Sequence, residues 1–202
     1  MNNFIQETLF LVTIINPIGI FMYLAPVRQN LSERDFLRVL FKATLISLSI
    51  NLLFTYGGEW MFRTMLKIDF NSFRIFGGIV LLSISLMSII HGGRALINIR
   101  GSLDDLASEI AMPFMTGVGT ISVCILLGSK MNAIGAAAVN FTAASVAFTT
   151  VGTLALIRYH LSDPITVPFD KVLGIFIRIN GFFMGAFGVE MIKTGILNVI
   201  RS

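Results

Sequence analysis

Two stretches of this chain run for twenty residues without a formal charge, Thr8–Val27 and Ile110–Ser129, and each is interrupted near its middle by Pro or Gly. The first carries Asn16-Pro17-Ile18-Gly19 and the second Pro113-Phe114-Met115-Thr116-Gly117-Val118-Gly119. An apolar run of this length fits one membrane crossing, since a helix rises about 1.5 Å per residue across a hydrocarbon core of about 30 Å. A break inside the run frees amides and carbonyls that lipid cannot bond. Such breaks are tolerated only where they face protein or a watery cavity, which is also where a polar solute can bind. The pattern points to transport.

The composition fits a chain spent on crossings. Of 202 residues, 55% are hydrophobic and 13% charged, against about 25% charged in a soluble domain. A single integral membrane domain over 1–202 with no soluble module is expected. The first seven residues lack the basic region of a secretory signal, so the opening segment reads as a retained helix. The lone Cys124 lies in an apolar stretch; it allows no intramolecular disulfide and reads as a small core residue. The net charge of +4 suits a basic rim beside an anionic leaflet and calls for no nucleic acid.

Charges divide the chain into about six spans: Thr8–Val27, Phe36–Gly58, Phe70–Ile90, Ile110–Ser129, Met131–Ile157 and Lys171–Leu197. The connection Gly92–Glu109 sits at the midpoint and separates a first half, about 1–92, from a second, about 110–202. Arg74-Ile75-Phe76-Gly77 in span three is echoed by Arg178-Ile179-Asn180-Gly181 in span six, and spans one and four share the central breaks. With three spans per half, an odd number, the second half must enter the membrane from the opposite face. The expected fold is all-α, a 3+3 inverted repeat with broken helices one and four, a plan common among secondary transporters. Nine of the fifteen Lys and Arg fall on the side of the loops after spans one, three and five. The positive-inside bias makes that side cytoplasmic, with Arg34 and Arg100 there and both termini outside.

Around Pro17 the helix loses the bond to the carbonyl of Thr13, and Gly19 leaves the following amides without a covering side chain. A half-helix restarting at Pro17 would present partly positive amides near the midplane, a seat for a carboxylate. Asn16 and Thr13 add neutral polar groups. Pro113, Thr116, Gly117, Gly119 and Thr120 offer the same features in span four. A kink at each Pro and close packing at each Gly is the bland alternative. Arg74 and Arg178 each lie a turn or two inside a span, where an unpaired guanidinium is costly unless it snorkels. Each either does so or caps carbonyls released by a broken helix. Glu59 with Arg63, and Glu190 with Lys193, have the spacing of rim pairs, and Gly181, Gly185 and Gly188 form a small-residue packing face. His91 and His160 stand alone at span ends and read as interfacial. No metal-binding, hydrolase or phosphate-cradling motif occurs, so no enzyme activity and no cofactor or metal is called for.

In these motifs the chain resembles the MarC family of small bacterial and archaeal membrane proteins, which includes neutral amino-acid transporters. The resemblance covers nearly the whole length and rests on Asn16-Pro17-Ile18-Gly19, Arg74-Ile75-Phe76-Gly77-Gly78, Pro113 with Gly117-Val118-Gly119-Thr120-Ile121, and Arg178-Ile179-Asn180-Gly181. It implies transport of a small neutral amino acid such as glycine or alanine across the lipid bilayer of a prokaryotic inner membrane, with a proton or sodium ion as possible coupling ion. The family usually has Asp where this chain has Asn16, and Gly-Pro-Gly where it has Gly117-Val118-Gly119.

Overall fold

The computed structural model describes residues 2–91 and 103–201, and every regular element in them is a helix. Most of the midpoint connection, with Arg94 and Arg100, lies outside the described residues. In order, the elements are α1 (Asn2–Ile15), α2 (Pro17–Tyr23), α3 (Ala25–Asn30), α4 (Glu33–Trp60), a π turn (Met61–Met65) and α5 (Phe70–His91). After the connection come α6 (Leu103–Glu109), a second π turn (Ile110–Met115), α7 (Val118–Lys130), α8 (Ala133–His160) and α9 (Asp163–Arg201).

Local chemistry sets the helix starts. Ser32 is the N-cap of α4: its hydroxyl accepts the backbone N–H of Asp35 at 3.2 Å and donates to that residue's carboxylate at 2.7 Å. Glu33 and Asp35 complement the positive end of the helix dipole. Asn132 caps α8 in the same way, accepting from Gly135 N at 2.7 Å. Both helices have 28 residues, about 42 Å at the helical rise, enough to cross the bilayer and emerge on both sides.

Among the described residues, five helices are long and apolar enough to cross a membrane: Asn3–Tyr23, counted across its break, Glu33–Trp60, Phe70–His91, Ala133–His160 and Pro164–Ile200. The chain is therefore a multi-pass integral membrane protein. The expected fourth span, Ile110–Ser129, is not a sixth such helix. Its second part, α7, has 13 residues, about 20 Å of helix and short of the core thickness. Its first part is a π turn in which Met112 leaves helical geometry altogether, at φ −123° and ψ 127°. The last span also departs from expectation. The helix begins at Asp163 rather than near Lys171: Pro164 lies in its first turn, where a missing N–H costs little, and the helix continues past Pro168, which lies inside it.

Packing relies on small residues, as it must where lipid removes the hydrophobic drive between helices. Helices α5 and α9 touch backbone to backbone: a β-carbon on Gly78 would lie 2.6 Å from the Gly188 carbonyl oxygen, and one on Gly188 2.8 Å from that of Gly78. Gly181 and Gly185 abut Ser85, whose hydroxyl donates to the Gly181 carbonyl at 2.6 Å. The small-residue face read in span six thus serves this contact. Helix α8 contributes Ala136, Ala143, Ala147 and Ala155, all fully buried. Leu53, Phe76, Ile134 and Phe182 are exposed and form part of the lipid-facing surface.

Candidate functional site

The first break is set by two adjacent residues. Asn16 adopts a left-handed conformation, φ 54° and ψ 67°, a region asparagine tolerates better than other side-chain-bearing residues. Helix α2 restarts at Pro17, whose missing N–H leaves the Thr13 carbonyl without its helical partner. That carbonyl is satisfied from the other half of the chain: Asn180 Nδ2 of α9 donates to it at 3.3 Å. At the start of α2, the expected seat for a carboxylate, the Gly19 N–H is engaged by the chain itself. Asn16 Oδ1 accepts the Gly19 N–H at 3.0 Å, and Asn16 Nδ2 lies 3.7 Å from Met184 Sδ. Gly19 is required by this cap, since a β-carbon there would sit 2.5 Å from Asn16 Nδ2. The Thr13 hydroxyl is turned back onto the Leu9 carbonyl at 2.8 Å.

The second break carries a different arrangement. Gly117 is extended, at φ −101° and ψ 175°, and starts α7 with no side-chain cap. Before it, the Thr116 N–H reaches the Ala111 carbonyl at 2.8 Å, the long reach of a π turn. Pro113 lies in this turn, and its side chain is outside the described set. The Thr116 side chain is 1% exposed; its hydroxyl lies 2.6 Å from Ser47 Oγ and donates to Asn51 Oδ1 at 3.3 Å. One turn further along α4, Thr55 donates to the Asn51 carbonyl at 2.7 Å and accepts from Asn140 Nδ2 at 3.1 Å. Asn140 Oδ1 in turn accepts from Cys124 Sγ at 3.4 Å. Ser47, Asn51 and Thr55 follow the four-residue repeat that puts them on one face of α4. Together with Thr116 and Asn140 they form a buried polar line from α4 to α8 past the broken crossing.

Other candidates separate. Thr120 is buried at 4% exposure. Gly119 faces α5, where its β-carbon would meet Leu81 at 2.5 Å, so it makes room for that helix. Arg178 is exposed and caps no carbonyl, and Arg74 is half-buried with its guanidinium 5.6 Å from the centre of the Phe70 ring. Neither arginine holds a broken helix; Asn180 does so at the first break. No hydrogen bond among the described residues joins the two breaks to each other. The residues that sequence reasoning passed over are Ser47, Asn51, Thr55, Asn140 and Asn180. Their signal was present, as amides and hydroxyls inside otherwise apolar spans.

Contacts gather around Arg28 at one end of the bundle. Arg28 is buried with its guanidinium 4.4 Å from the centre of the Phe21 ring, and the Tyr159 hydroxyl donates to the carbonyls of Arg28 and Leu31 at 2.9 and 3.1 Å. Arg158 pairs with Asp170 at 3.4 Å beside it. Burial, and then the neighbouring Arg158 charge, hold the Arg28 pKa below its ordinary value, while Asp170 opposes the shift. These contacts tie α3, α8 and α9 together at one face of the membrane.

The sequence pattern described as MarC family integral membrane protein matches residues 1–200. Similar curated proteins carry only the name UPF0056 membrane protein. One from Pyrococcus horikoshii is 25% identical over 100% of this chain and 98% of its own length. One from Aquifex aeolicus is 26% identical over 98% and 94%, and one from Methanocaldococcus jannaschii 28% over 91% of each. No solved structure matches the chain significantly.

Proposed function

This chain belongs to the MarC family of integral membrane proteins, and we propose that it is a secondary transporter or exporter of small neutral amino acids such as glycine or alanine, working by alternating access. The observation that carries this reading is the buried line of Ser47, Asn51, Thr55, Thr116 and Asn140 beside the broken fourth crossing. Polar groups in a membrane interior are expensive and tend to mark a solute or ion path. Helix packing alone would be served by alanine, as it is along α8. The shared element order of the two halves supports an inverted repeat, in which a broken crossing is followed by a capped 28-residue helix and then by one of the α5–α9 pair. Two such halves are the units that rock against each other in alternating access.

The neutral oxygens of this site suit sodium, one of the two candidate coupling ions. The Lys and Arg distribution supports an inner-membrane protein with both termini outside. An impermeant thiol reagent applied to intact cells, with a cysteine at Ser202 and Cys124 removed, reads that orientation.

The test is exchange of labelled alanine across proteoliposomes, with sodium present or replaced by choline. Saturable counterflow that falls without sodium is the expected result. Linear, non-saturating flux would identify a passive channel, and no flux of any amino acid would leave a non-transporting scaffold.

A further inference from the structure

At the end of the molecule opposite Arg28, a cavity of about 620 Å³ opens between the end of α4, the segment before α5, and the ends of α7 and α9. Its volume lies within the range of small-molecule sites. Glu59, Lys67, Asp69, Asn71, Arg74 and Asn198 supply its polar wall, with Ser129 beside them.

Part of this wall is already engaged within the fold. Asp69 Oδ1 takes both the backbone N–H of Asn71 at 2.8 Å and its side-chain amide at 3.1 Å, which starts α5. Asn71 Oδ1 accepts from Asn198 Nδ2 at 3.2 Å, joining the end of α9 to the start of α5. Ser129 donates to the Leu126 carbonyl at 3.0 Å. Glu59 has a partner of its own. The cations are not committed: neither Lys67 nor Arg74 forms an ion pair with any described residue. The Phe70 ring flanks the Arg74 guanidinium while its planar fork of donors stays without a carboxylate. Lys67 is held at φ 51°, a left-handed conformation that disfavours any residue with a β-carbon. There the Ile68 N–H closes onto the Phe62 carbonyl at 3.0 Å, the helix-ending arrangement in which left-handed residues are common.

We propose that this cavity binds an oxyanion through Arg74 and Lys67, either the carboxylate of a small solute or the phosphate of a lipid headgroup. The site stands on its own geometry and does not depend on the chain being a transporter.

The test uses the full chain purified in a phosphate-free maltoside detergent and titrated separately with glycine, acetate and phosphatidylglycerol in mixed micelles. Binding is read from the melting temperature and from the fluorescence of Trp60, the single tryptophan, next to Glu59. Arg74→Gln and Lys67→Asn should each weaken binding about tenfold or more, the loss typical of a charge-assisted hydrogen bond. Asparagine at 67 keeps a residue that accepts left-handed backbone, so that variant remains folded even if Arg74→Gln does not. Arg74→Lys should recover part of the affinity, and Lys193→Gln, an exposed cation paired with Glu190 at 2.6 Å, should change nothing. Saturable binding of glycine or acetate identifies a solute site; a response to phosphatidylglycerol alone identifies a lipid site. Wild-type affinity in both Arg74→Gln and Lys67→Asn, or no response to any of the three probes, overturns the proposal. Binding is measured here without transport, so failure here leaves the exchange experiment to decide the transport reading, and the converse holds.

Discussion

Gly128→Leu should yield no monodisperse protein, the largest loss expected of any single substitution in this chain. Gly128 lies in α7 where that helix crosses α4, and a β-carbon there would overlap the Thr55 carbonyl oxygen. The obstacle is backbone, so no rotamer change relieves it. Helix α4 would have to move as a body, separating Thr55 from Asn140 and opening the buried polar line. Overpacking of a tight core costs about 1 to 3 kcal/mol, and more where backbone itself is in the way. A β-carbon on Gly57, in α4, would meet nothing within 4 Å, so Gly57→Ala serves as the control. Size-exclusion profiles of fluorescently tagged protein after a heating series give the comparison. A Gly128→Leu variant that melts like the Gly57→Ala control would mean that α4 and α7 do not meet as described.

Asn16→Leu should lower stability by about 2 to 4 kcal/mol, combining an unsatisfied buried amide with a left-handed backbone that leucine resists. The two contributions are separable. Asn16→Gly keeps the conformation and loses only the cap, so it should cost about 1 kcal/mol or less. Asn16→Asp keeps both, since aspartate tolerates the left-handed region and accepts from Gly19 N, and should fold near wild type. That variant places a titratable carboxylate at the first break. Uptake should then follow pH differently from wild type if the first break lies near the solute path. Thermal melting of all three variants, followed by initial uptake rate against pH for Asn16→Asp, checks both parts. Equal melting of Asn16→Leu and wild type would show that the cap at Gly19 carries no stability.

Much of the fold was legible because charge and backbone chemistry punctuate the chain. Pro17 disturbs the helix wherever it sits in a span, and the glycine spacing of α9 announces a close helix contact. The apolar length of each crossing is likewise a property of the string. Rotation about a helix axis is not. Arg178 and Asn180 are two residues apart, hence about 200° apart around α9, and the turn that brings Asn180 onto the Thr13 carbonyl leaves Arg178 exposed. The sequence motif contained the right residue while charge drew attention to the wrong one. Gly119 was misleading for a related reason: a glycine beside a break reads as bare backbone until Leu81 of a distant helix is seen to fill the space. The fourth crossing was counted by its apolar length, which says nothing of Met112 turning extended within it. Asn51 and Asn140 were visible as polar residues in apolar spans, but only the packing of α4 on α8 joins them, through Thr55.

The most direct test of the solute path is initial alanine uptake into proteoliposomes by wild type and Thr116→Val. Valine keeps the shape of threonine and removes the hydroxyl that lies against Ser47 and Asn51, a change expected to cost about 1 to 2 kcal/mol of stability and to leave the protein folded. If this break lines the path, wild type takes up alanine saturably, and Thr116→Val, reconstituted in equal amount and melting as a single folded species, loses at least about tenfold in uptake rate at low substrate concentration. Thr116→Val with wild-type rate and wild-type saturation would contradict it, and would leave the broken fourth crossing as a feature of packing alone.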